Sequence, residues 1–474
     1  MESKDGKRME QSKDSRQLAR ETMMGTEPVP RLILKMAYPT IVGFLINSIY
    51  SLADIYFVSS LGTNATAAVS VNNSLDQFIM MMGSMFAIGA NSYIARLLGA
   101  GKRDKASRVL STSFLLAMFM GALFLVFGVM FRRPLVRLLG ATDTCEKYAI
   151  DYATYILYAA PFMAANFVMN QCLRSEGSAL FSMFGMGFGG ILNCFLDPVF
   201  ILPWGLDMGV AGASLATAIS KLVSFAILIS PYLRHKSMLR LSPRLFTPDL
   251  RMIGEVLSIG SSSLLRNACA ILSGILINKE AGLISDALLA SIGVTTKVMM
   301  FPFSIILGFC SGFQPVTGFN WGAKKYDRVR ESIRFSSRVG ILGSLVMGLL
   351  IAVFARPIIG LFAGSDEALQ HYGALCIRLQ CLVLVPHGWV AVVNFACAGL
   401  GRAKGALLLS TSRQGTCFLP VLYPLSRLFG AVGVCSVQAV ADLLSLAIAV
   451  PIFRKIHCSI DETEAAELAG KAEN

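Results

Sequence analysis

Apolar stretches long enough to cross a lipid bilayer recur along almost the whole of this 474-residue chain. Hydrophobic residues make up 54% of the sequence and charged residues only 15%, and the mean hydropathy is +0.62. Soluble domains carry about a quarter charged residues, so this chain has too little polar surface to cover soluble domains. The sequence therefore predicts a polytopic integral membrane protein. It excludes a soluble enzyme, a disordered chain and a secreted disulfide scaffold.

Twelve apolar segments separated by charged loops are predicted to be transmembrane helices, which makes the fold class all-α. Several contain Pro or Gly, which membrane helices tolerate when neighbouring groups satisfy the freed backbone. The predicted spans are residues 33–58, 67–95, 109–131, 149–172, 180–202, 210–232, 252–278, 287–315, 339–355, 372–398, 414–426 and 431–453.

Lys and Arg are distributed unequally between alternate loops, with 30 on the side that carries both tails and 7 on the other side. Because positively charged loops remain in the cytoplasm, both termini are predicted to be cytoplasmic. The basic loop 132–147 is the one local exception. Residues 1–30 are predicted to be a polar N-terminal tail that lacks the apolar core of a secretory signal, and residues 456–474 a C-terminal tail.

The second half of the sequence repeats the first. Residues 98–104 (LGAGKRD) match residues 321–327 (WGAKKYD) at an offset of 223, and residues 174–180 match residues 402–408 in the same order. Each copy has six spans, and because six is even both copies enter the membrane from the same side. The repeat is therefore parallel.

This repeat predicts two parallel six-helix bundles related by a pseudo-two-fold axis along the membrane normal. Transporters with a cavity between their halves have this architecture. The predicted units are an N-terminal lobe at 31–232, a cytoplasmic linker at 233–251 and a C-terminal lobe at 252–455.

Other classes of function have little support in the sequence. The net charge of +13 lies in loops and tails without a basic, aromatic-interleaved stripe, so no nucleic-acid partner is expected. The 11 cysteines and 4 histidines form neither CxxC nor HExxH, so no metal site is expected. No P-loop occurs, and the GxGxxG at 185–190 lies inside an apolar span, where close helix packing explains it. Neither a nucleotide nor another cofactor is expected.

Ordered motifs resemble those of the MATE (multidrug and toxic compound extrusion) family of transporters. Residues 52–58 (LADIYFV) are similar to the first-helix signature, residues 193–201 (NCFLDPVFI) to the N-xxx-DP motif of the fifth helix, and residues 209–217 (GVAGASLAT) to the start of the sixth. Residues 312–324 (GFQPVTGFNWGAK) resemble a signature of the bacterial MepA-like branch. Residues 402–414 agree with that branch.

The resemblance implies a secondary transporter in the bacterial inner (cytoplasmic) membrane. Such proteins export organic, often cationic, small molecules by alternating access, in exchange for H⁺ or Na⁺. Because both repeats lie in one chain, a monomer is expected. The alternatives are a lipid-linked oligosaccharide flippase of the same superfamily and, with less support, an integral-membrane enzyme.

Four polar residues of the first lobe are predicted to form the cation-coupling site: Asp54, Asn193, Asp197 and Thr217. A rise of about 1.5 Å per residue brings them to similar depths in the outer half of the membrane, and ionisable groups at that depth indicate function. Two nearby carboxylates could exchange a proton or, with amide and hydroxyl oxygens, form a Na⁺ site at Asp54 and Asp197. The alternative is a structural hydrogen-bond cluster. Pro39 is predicted to kink the first span, and the resemblance implies that bending there answers protonation of Asp54. The alternative is a static kink that serves only packing.

The second lobe departs from the family pattern. Some relatives place acidic ligands in the seventh helix, where this chain has Arg266 and Asn267. Lys297 also lies within a span, and Asp442 is the clear intramembrane acid. A cation in hydrocarbon needs a partner, so a charge network of Arg266, Lys297 and Asp442 is predicted, with a structural or gating role.

Substrate contacts are predicted on the second and fourth spans. A methionine-rich stretch offers an adaptable apolar wall, and polar side chains could face the cavity, although methionines on a membrane helix more often face lipid or core. The candidates are Gln77, Met81, Met85, Asn166 and Asn170.

Overall fold

The computed structural model describes residues 19–472 except Ser60, Gly62, Pro203, Trp204, His235, Gly364 and Ser365. After a helical segment at 19–26, the described chain forms fifteen α-helices, with a π-helical turn (Ser412–Thr416) before the last. In order they are α1 (Val29–Ser59), α2 (Thr63–Gly99), α3 (Arg103–Met130), α4 (Arg132–Leu138), α5 (Glu146–Ser175), α6 (Ala179–Ile201), α7 (Gly209–Leu233), α8 (Leu250–Ile284), α9 (Asp286–Gly322), α10 (Tyr326–Val353), α11 (Ala355–Ala363), α12 (Glu367–Leu382), α13 (Leu384–Gly399), α14 (Ala403–Thr411) and α15 (Phe418–Ala472).

The helices supply twelve spans within the described ranges. Ten are long and apolar enough to cross a membrane, and α12 with α13, which meet at 47°, add an eleventh. One of the ten is the stretch 403–469, in which Gly430 has φ 54° and ψ −129°, so that two helices meet there; counted separately, they bring the number of spans to twelve.

The span that the sequence analysis placed at residues 414–426 is longer than predicted. Its helix begins at Ala403 and continues through the π-helical turn, whereas the apolar run alone indicated residues 414–426. The prediction was too short because Lys404 and Arg413 were treated as loop charges.

Helix α5 is the centre of the first lobe and packs against α2, α3, α6 and α7. Small residues permit this close packing, as in other membrane helix bundles. A Cβ placed on Gly121 of α3 would lie 2.4 Å from the Cα of Pro161, and one on Gly83 of α2 would lie 3.0 Å from the Cα of Ala164. The α5 backbone is therefore held tightly from two sides.

The two lobes meet where α1 packs against α9 and α2 packs against α8 and α9. A Cβ on Gly312 would lie 2.5 Å from the Cα of Ala37, and one on Gly260 would lie 1.9 Å from the carbonyl oxygen of Met85. These residues belong to the half of the membrane that is nearer both chain ends. We call this contact the seam; it closes the space between the lobes on the side of the termini.

Two hydrogen bonds mark the outer edge of the seam. Ser48 Oγ lies 2.8 Å from Ser304 Oγ, and Ser84 Oγ lies 3.1 Å from Ser263 Oγ. Both pairs join a helix of the first lobe to a helix of the second.

Residues 234–249 connect the two lobes, and this segment lies against the first turns of α3. The backbone N–H of Arg240 donates to Ser107 Oγ at 3.1 Å, and that of Thr247 donates to Thr112 Oγ1 at 3.1 Å. Buried Glu176 accepts from the hydroxyls of Tyr232 and Ser237. Its removal from water nevertheless raises the pKa of Glu176.

Candidate functional site

A cavity lies within the first lobe, between α1, α2, α5, α6 and α7; its space, together with the open solvent at its mouth, is about 660 Å³. We call it the first-lobe cavity. Its wall combines polar side chains, among them Asn47, Asn193 and Thr217, with apolar ones such as Met80 and Phe167. A mostly apolar concave surface with a few convergent polar groups is the usual form of a small-molecule site.

Asn193 is hydrogen-bonded to two of the other three predicted coupling residues. Its Nδ2 donates to Asp197 Oδ1 at 3.1 Å and to Thr217 Oγ1 at 3.3 Å. Asn193 and Asp197 are one helical turn apart on α6 and therefore share a face, while Thr217 is on the neighbouring helix α7. Asn193 and Asp197 are almost completely buried, with 1% and 0% of their surface exposed.

Asp54 reaches the same region from α1. It is buried, and its carboxylate is close enough to Asp197 and Asp76 to repel both electrostatically. The four predicted residues thus lie close together. Three are linked by direct hydrogen bonds, and Asp54 is near enough to interact with Asp197 electrostatically.

Several oxygens of this cluster have no donor among the described residues. They are Asp54 Oδ1, Asp76 Oδ1, Asn193 Oδ1 and Asp197 Oδ2. Buried polar atoms are nearly always satisfied by hydrogen bonds, so unsatisfied oxygens of this kind can accept a proton, a cation or water. No three His, Cys, Asp or Glu side chains in the described part of the chain converge as metal ligands. A Na⁺ ion would therefore also need amide and hydroxyl oxygens.

The sequence analysis missed two charged residues at this site. Lys221 of α7 interacts electrostatically with Asp76 of α2, and its Nζ lies 3.3 Å from the Tyr50 hydroxyl and 5.1 Å from the centre of that ring. Both residues lie inside predicted spans, so the criterion that selected Asp54 applies to them as well. Lys221 follows Thr217 by one helical turn and lines the cavity.

The predicted substrate contacts divide into two groups. Asn166 and Asn170 line the first-lobe cavity, where their amides donate to the carbonyl oxygens of Lys221 and Ser182 at 2.9 and 3.0 Å. Met81 is buried in the core and Met85 packs into the seam, so neither lines the first-lobe cavity, and substrate contact by these two methionines stays a prediction.

Helical periodicity explains the placement of these methionines. Met81 and Met85 are one turn apart and share a face that points away from the cavity, whereas the neighbouring Met80 lines it. Gln77 is exposed on α2, and neither cavity described in this section includes it.

Pro39 lies in the part of α1 that forms the seam. The helix continues through it without interruption from Val29 to Ser59. Its neighbours Ala37 and Ile41 contact Gly312 and Gly308 of α9, so a change of bend at Pro39 would act directly on the contact between the lobes.

Asp442 of the second lobe pairs with Arg413. The Arg413 Nε donates to Asp442 Oδ1 at 2.8 Å, and Gln438 Nε2 donates to the same atom at 3.2 Å. The predicted pairing of Asp442 with Arg266 and Lys297 was wrong. The π-helical turn brings Arg413 inward, whereas the sequence analysis placed this residue near the end of a span. Arg266 instead donates to Ser263 Oγ at 3.3 Å.

A second cavity lies in the second lobe between α9, α12, the π-helical turn and α15; its space, together with the open solvent at its mouth, is about 860 Å³. We call it the second-lobe cavity. Its wall includes Lys297, Arg413 and Phe303. The Arg413 guanidinium lies over the Phe303 ring, 4.4 Å from its centre, a separation typical of a cation–π contact.

Comparison with known proteins supports a single family. The family model MatE matches residues 39–199 and again residues 263–424, together about two thirds of the chain and one copy in each half. The multidrug export protein MepA of Staphylococcus aureus (strain N315) is 27% identical over 420 residues, covering 88% of this chain and 92% of that protein. MepA of Staphylococcus saprophyticus is 26% identical over 413 residues, covering 87% and 90%.

Solved structures confirm the predicted fold. A MATE protein in complex with MaL6 superposes with a TM-score of 0.88 at 23% identity, covering 93% of this chain and 99% of that one. An outward-facing multidrug resistance MATE transporter of the MOP superfamily also gives 0.88 at 23% identity, covering 93% and 98%. Two lobes of six spans are thus the shared architecture. The chain belongs to the MatE family and is a multi-pass membrane transporter, not an enzyme.

Proposed function

We propose that this protein exports small organic cations in exchange for H⁺ or Na⁺, by alternating access between its two lobes. The observation that carries the proposal is the cluster of carboxylates at Asp54, Asp76 and Asp197, each with a buried oxygen that accepts from no described residue, beside the first-lobe cavity. The similarity of the chain to MepA, which is named a multidrug export protein, supports the export of varied compounds.

The charges of the cluster support cation binding. Three carboxylates and one ammonium, that of Lys221, leave the site negative when all are ionised. Carboxylates in a low-dielectric environment are costly to leave ionised without partners, so the site attracts either a coupling ion or a cationic substrate. The coupling ion and the cationic substrate would compete for the same negative charge, so that binding of one would release the other. Each would favour the access state for which it has the higher affinity, and their movements would be coupled.

The seam provides the element that would switch. Closed on the side of the termini, it would give the cavities access to the opposite side of the membrane. The excess of Lys and Arg makes the side of the termini cytoplasmic under the positive-inside rule. Bending of α1 at Pro39 would loosen the α1–α9 contact and reverse access. In a bacterial cell the protein would lie in the inner membrane. One chain would be enough to form the transport pathway.

The experiment is efflux of a fluorescent lipophilic cation from energised cells, with the wild type and Asp54→Asn at matched expression. Asp151→Asn is the control, because Asp151 is exposed at the start of α5. We expect export by the wild type and the control but not by Asp54→Asn. Collapsing the proton and sodium gradients separately identifies the ion. Export by Asp54→Asn at the wild-type rate would refute the role of the cluster.

A lipid-linked oligosaccharide flippase is the second candidate, favoured by the basic residues Arg266, Lys297 and Arg413 of the second lobe. Such a flippase would bind a lipid pyrophosphate, and its transport would not depend on Asp54. Absence of cation efflux by the wild type under every imposed gradient would favour this candidate.

A further inference from the structure

The second-lobe cavity has a different chemistry from the first-lobe cavity. Its charged wall residues are Lys297 and Arg413, and its polar ones include Gln380, Gln414 and Gln438. The acid Asp442 lies behind this wall, 3% exposed, and accepts from Arg413 and Gln438. One carboxylate therefore faces two cations, which leaves the cavity with one net positive charge.

Lys297 supplies that excess charge. It is exposed within α9, in the middle of a span, and no described residue forms an ion pair or a hydrogen bond with its Nζ. Lysine in a membrane span is normally paired or faces a water-filled cavity. Lys297 matches the second case, so its ammonium can take an anion that enters the cavity.

Arg413 is partly committed and partly available. Its Nε bonds Asp442, and its guanidinium rests on Phe303, while no described residue accepts a hydrogen bond from its two Nη atoms. The residue sits in a π-helical turn (Ser412–Thr416), a feature frequently found at functional sites. Fixed in orientation by Asp442 and Phe303, the guanidinium can present its remaining N–H groups to a carboxylate.

The remainder of the wall is suited to an apolar body. Met299, Met300, Phe303 and Leu307 line it along α9, and methionine side chains adapt to ligands of different shape. Ser304, also in the wall, bonds Ser48 of α1 across the seam. The second-lobe cavity therefore adjoins the space between the lobes, where a transported molecule would pass.

We propose that the second-lobe cavity binds the carboxylate of an amphiphilic substrate, with Lys297 forming the ion pair and Arg413 donating additional hydrogen bonds. The proposal rests on the proposed export function and extends its substrates from simple cations to zwitterions. The apolar or aromatic body of such a compound would lie against Phe303 and the two methionines.

The test uses a rhodamine dye with a free carboxylate and its methyl ester, which lacks only that negative charge. Binding of each dye to the purified protein in detergent is followed by fluorescence anisotropy. The variants are Lys297→Gln, Lys297→Arg and the control Lys279→Gln, because Lys279 is exposed on α8 and lines neither cavity. Matched melting temperatures establish that the variants are folded.

We expect Lys297→Gln to weaken binding of the carboxylate dye about 10-fold, the effect of one lost charge-assisted hydrogen bond. Binding of the ester should not change, Lys297→Arg should retain most of the affinity, and Lys279→Gln should bind like the wild type. The proposal would be overturned if Lys297→Gln lost the same affinity for both dyes or lost none for either. It would also be overturned if the wild-type protein bound only the ester.

The source of the anion is tested by adding phosphatidylglycerol to the micelles. If the lipid displaces the carboxylate dye from the wild type but not the ester, and Lys297→Gln abolishes lipid binding, the cavity holds a lipid phosphate and the proposal is wrong. Failure of the export function is distinguishable, because efflux of the ester from cells measures that function independently of the carboxylate.

Discussion

The two lobes arise from one repeated sequence, yet their buried charges are arranged in opposite ways. In the first lobe, Asp54, Asp76 and Asp197 outnumber their one cation, and each has a carboxylate oxygen without a donor. In the second lobe, buried Asp442 is matched by Arg413 at 2.8 Å and by Gln438. An unsatisfied cluster can bind and release an ion, whereas a satisfied pair holds helices together. We infer that coupling belongs to the first lobe and that the Asp442 pair is structural.

The largest expected effect on stability is in the second lobe. Arg413→Gln leaves Asp442 buried without its counter-charge, and breaking a buried pair costs about 3–5 kcal/mol. Unfolding by SDS in mixed micelles would measure the loss. The double variant Arg413→Gln/Asp442→Asn should recover most of the stability, because neither charge of the pair then remains. A loss below about 1 kcal/mol in the single variant would break the distinction between the lobes.

Asp197→Asn in the first lobe should have the opposite effect on stability. Asparagine retains an oxygen that can accept from Asn193, and it removes a buried charge whose Oδ2 has no described donor. We expect the unfolding free energy to equal that of the wild type or to exceed it by up to about 2 kcal/mol. Function and stability would then be separated, as at other strained functional sites. A loss as large as that of Arg413→Gln would make Asp197 a structural residue.

A smaller effect is expected at Lys221, the cation of the first-lobe cavity. Lys221→Gln removes one positive charge beside Asp76 and Tyr50, so a lipophilic cation should bind about 3- to 10-fold more tightly. Titration of the purified protein with a fluorescent cation would measure the change. Lys147→Gln serves as control, because Lys147 is exposed at the start of α5 and lies outside the cavity. Weaker binding in Lys221→Gln would mean that Lys221 positions the acids.

Patterns along single helices could be predicted from the sequence. The apolar runs gave the spans, and the repeat gave the two lobes. The separation of one helical turn placed Asn193 and Asp197 on one face. These features depend on hydropathy and on helix geometry, which act locally.

Interactions between helices could not be predicted in the same way. The partner of Asp442 depended on a π-helical turn that moves Arg413 into the lobe. The association of Asp76 with Lys221 joins α2 to α7, so neither residue reveals its partner in its own segment. The placement of Met81 in the core and of Met85 at the seam could not be predicted, because a methionine-rich stretch does not show which of its faces packs inward.

Ion exchange in proteoliposomes tests the central inference most directly. A gradient of a lipophilic cation is imposed, and internal H⁺ and Na⁺ are recorded with fluorescent indicators for the wild type, Asp54→Asn/Asp197→Asn and Arg413→Gln/Asp442→Asn. We predict that one of the two ions moves against the cation in the wild type and in the second-lobe variant, and that neither ion moves in the first-lobe variant. Exchange that persists without Asp54 and Asp197, or that is lost only with the Arg413–Asp442 pair, would contradict the account.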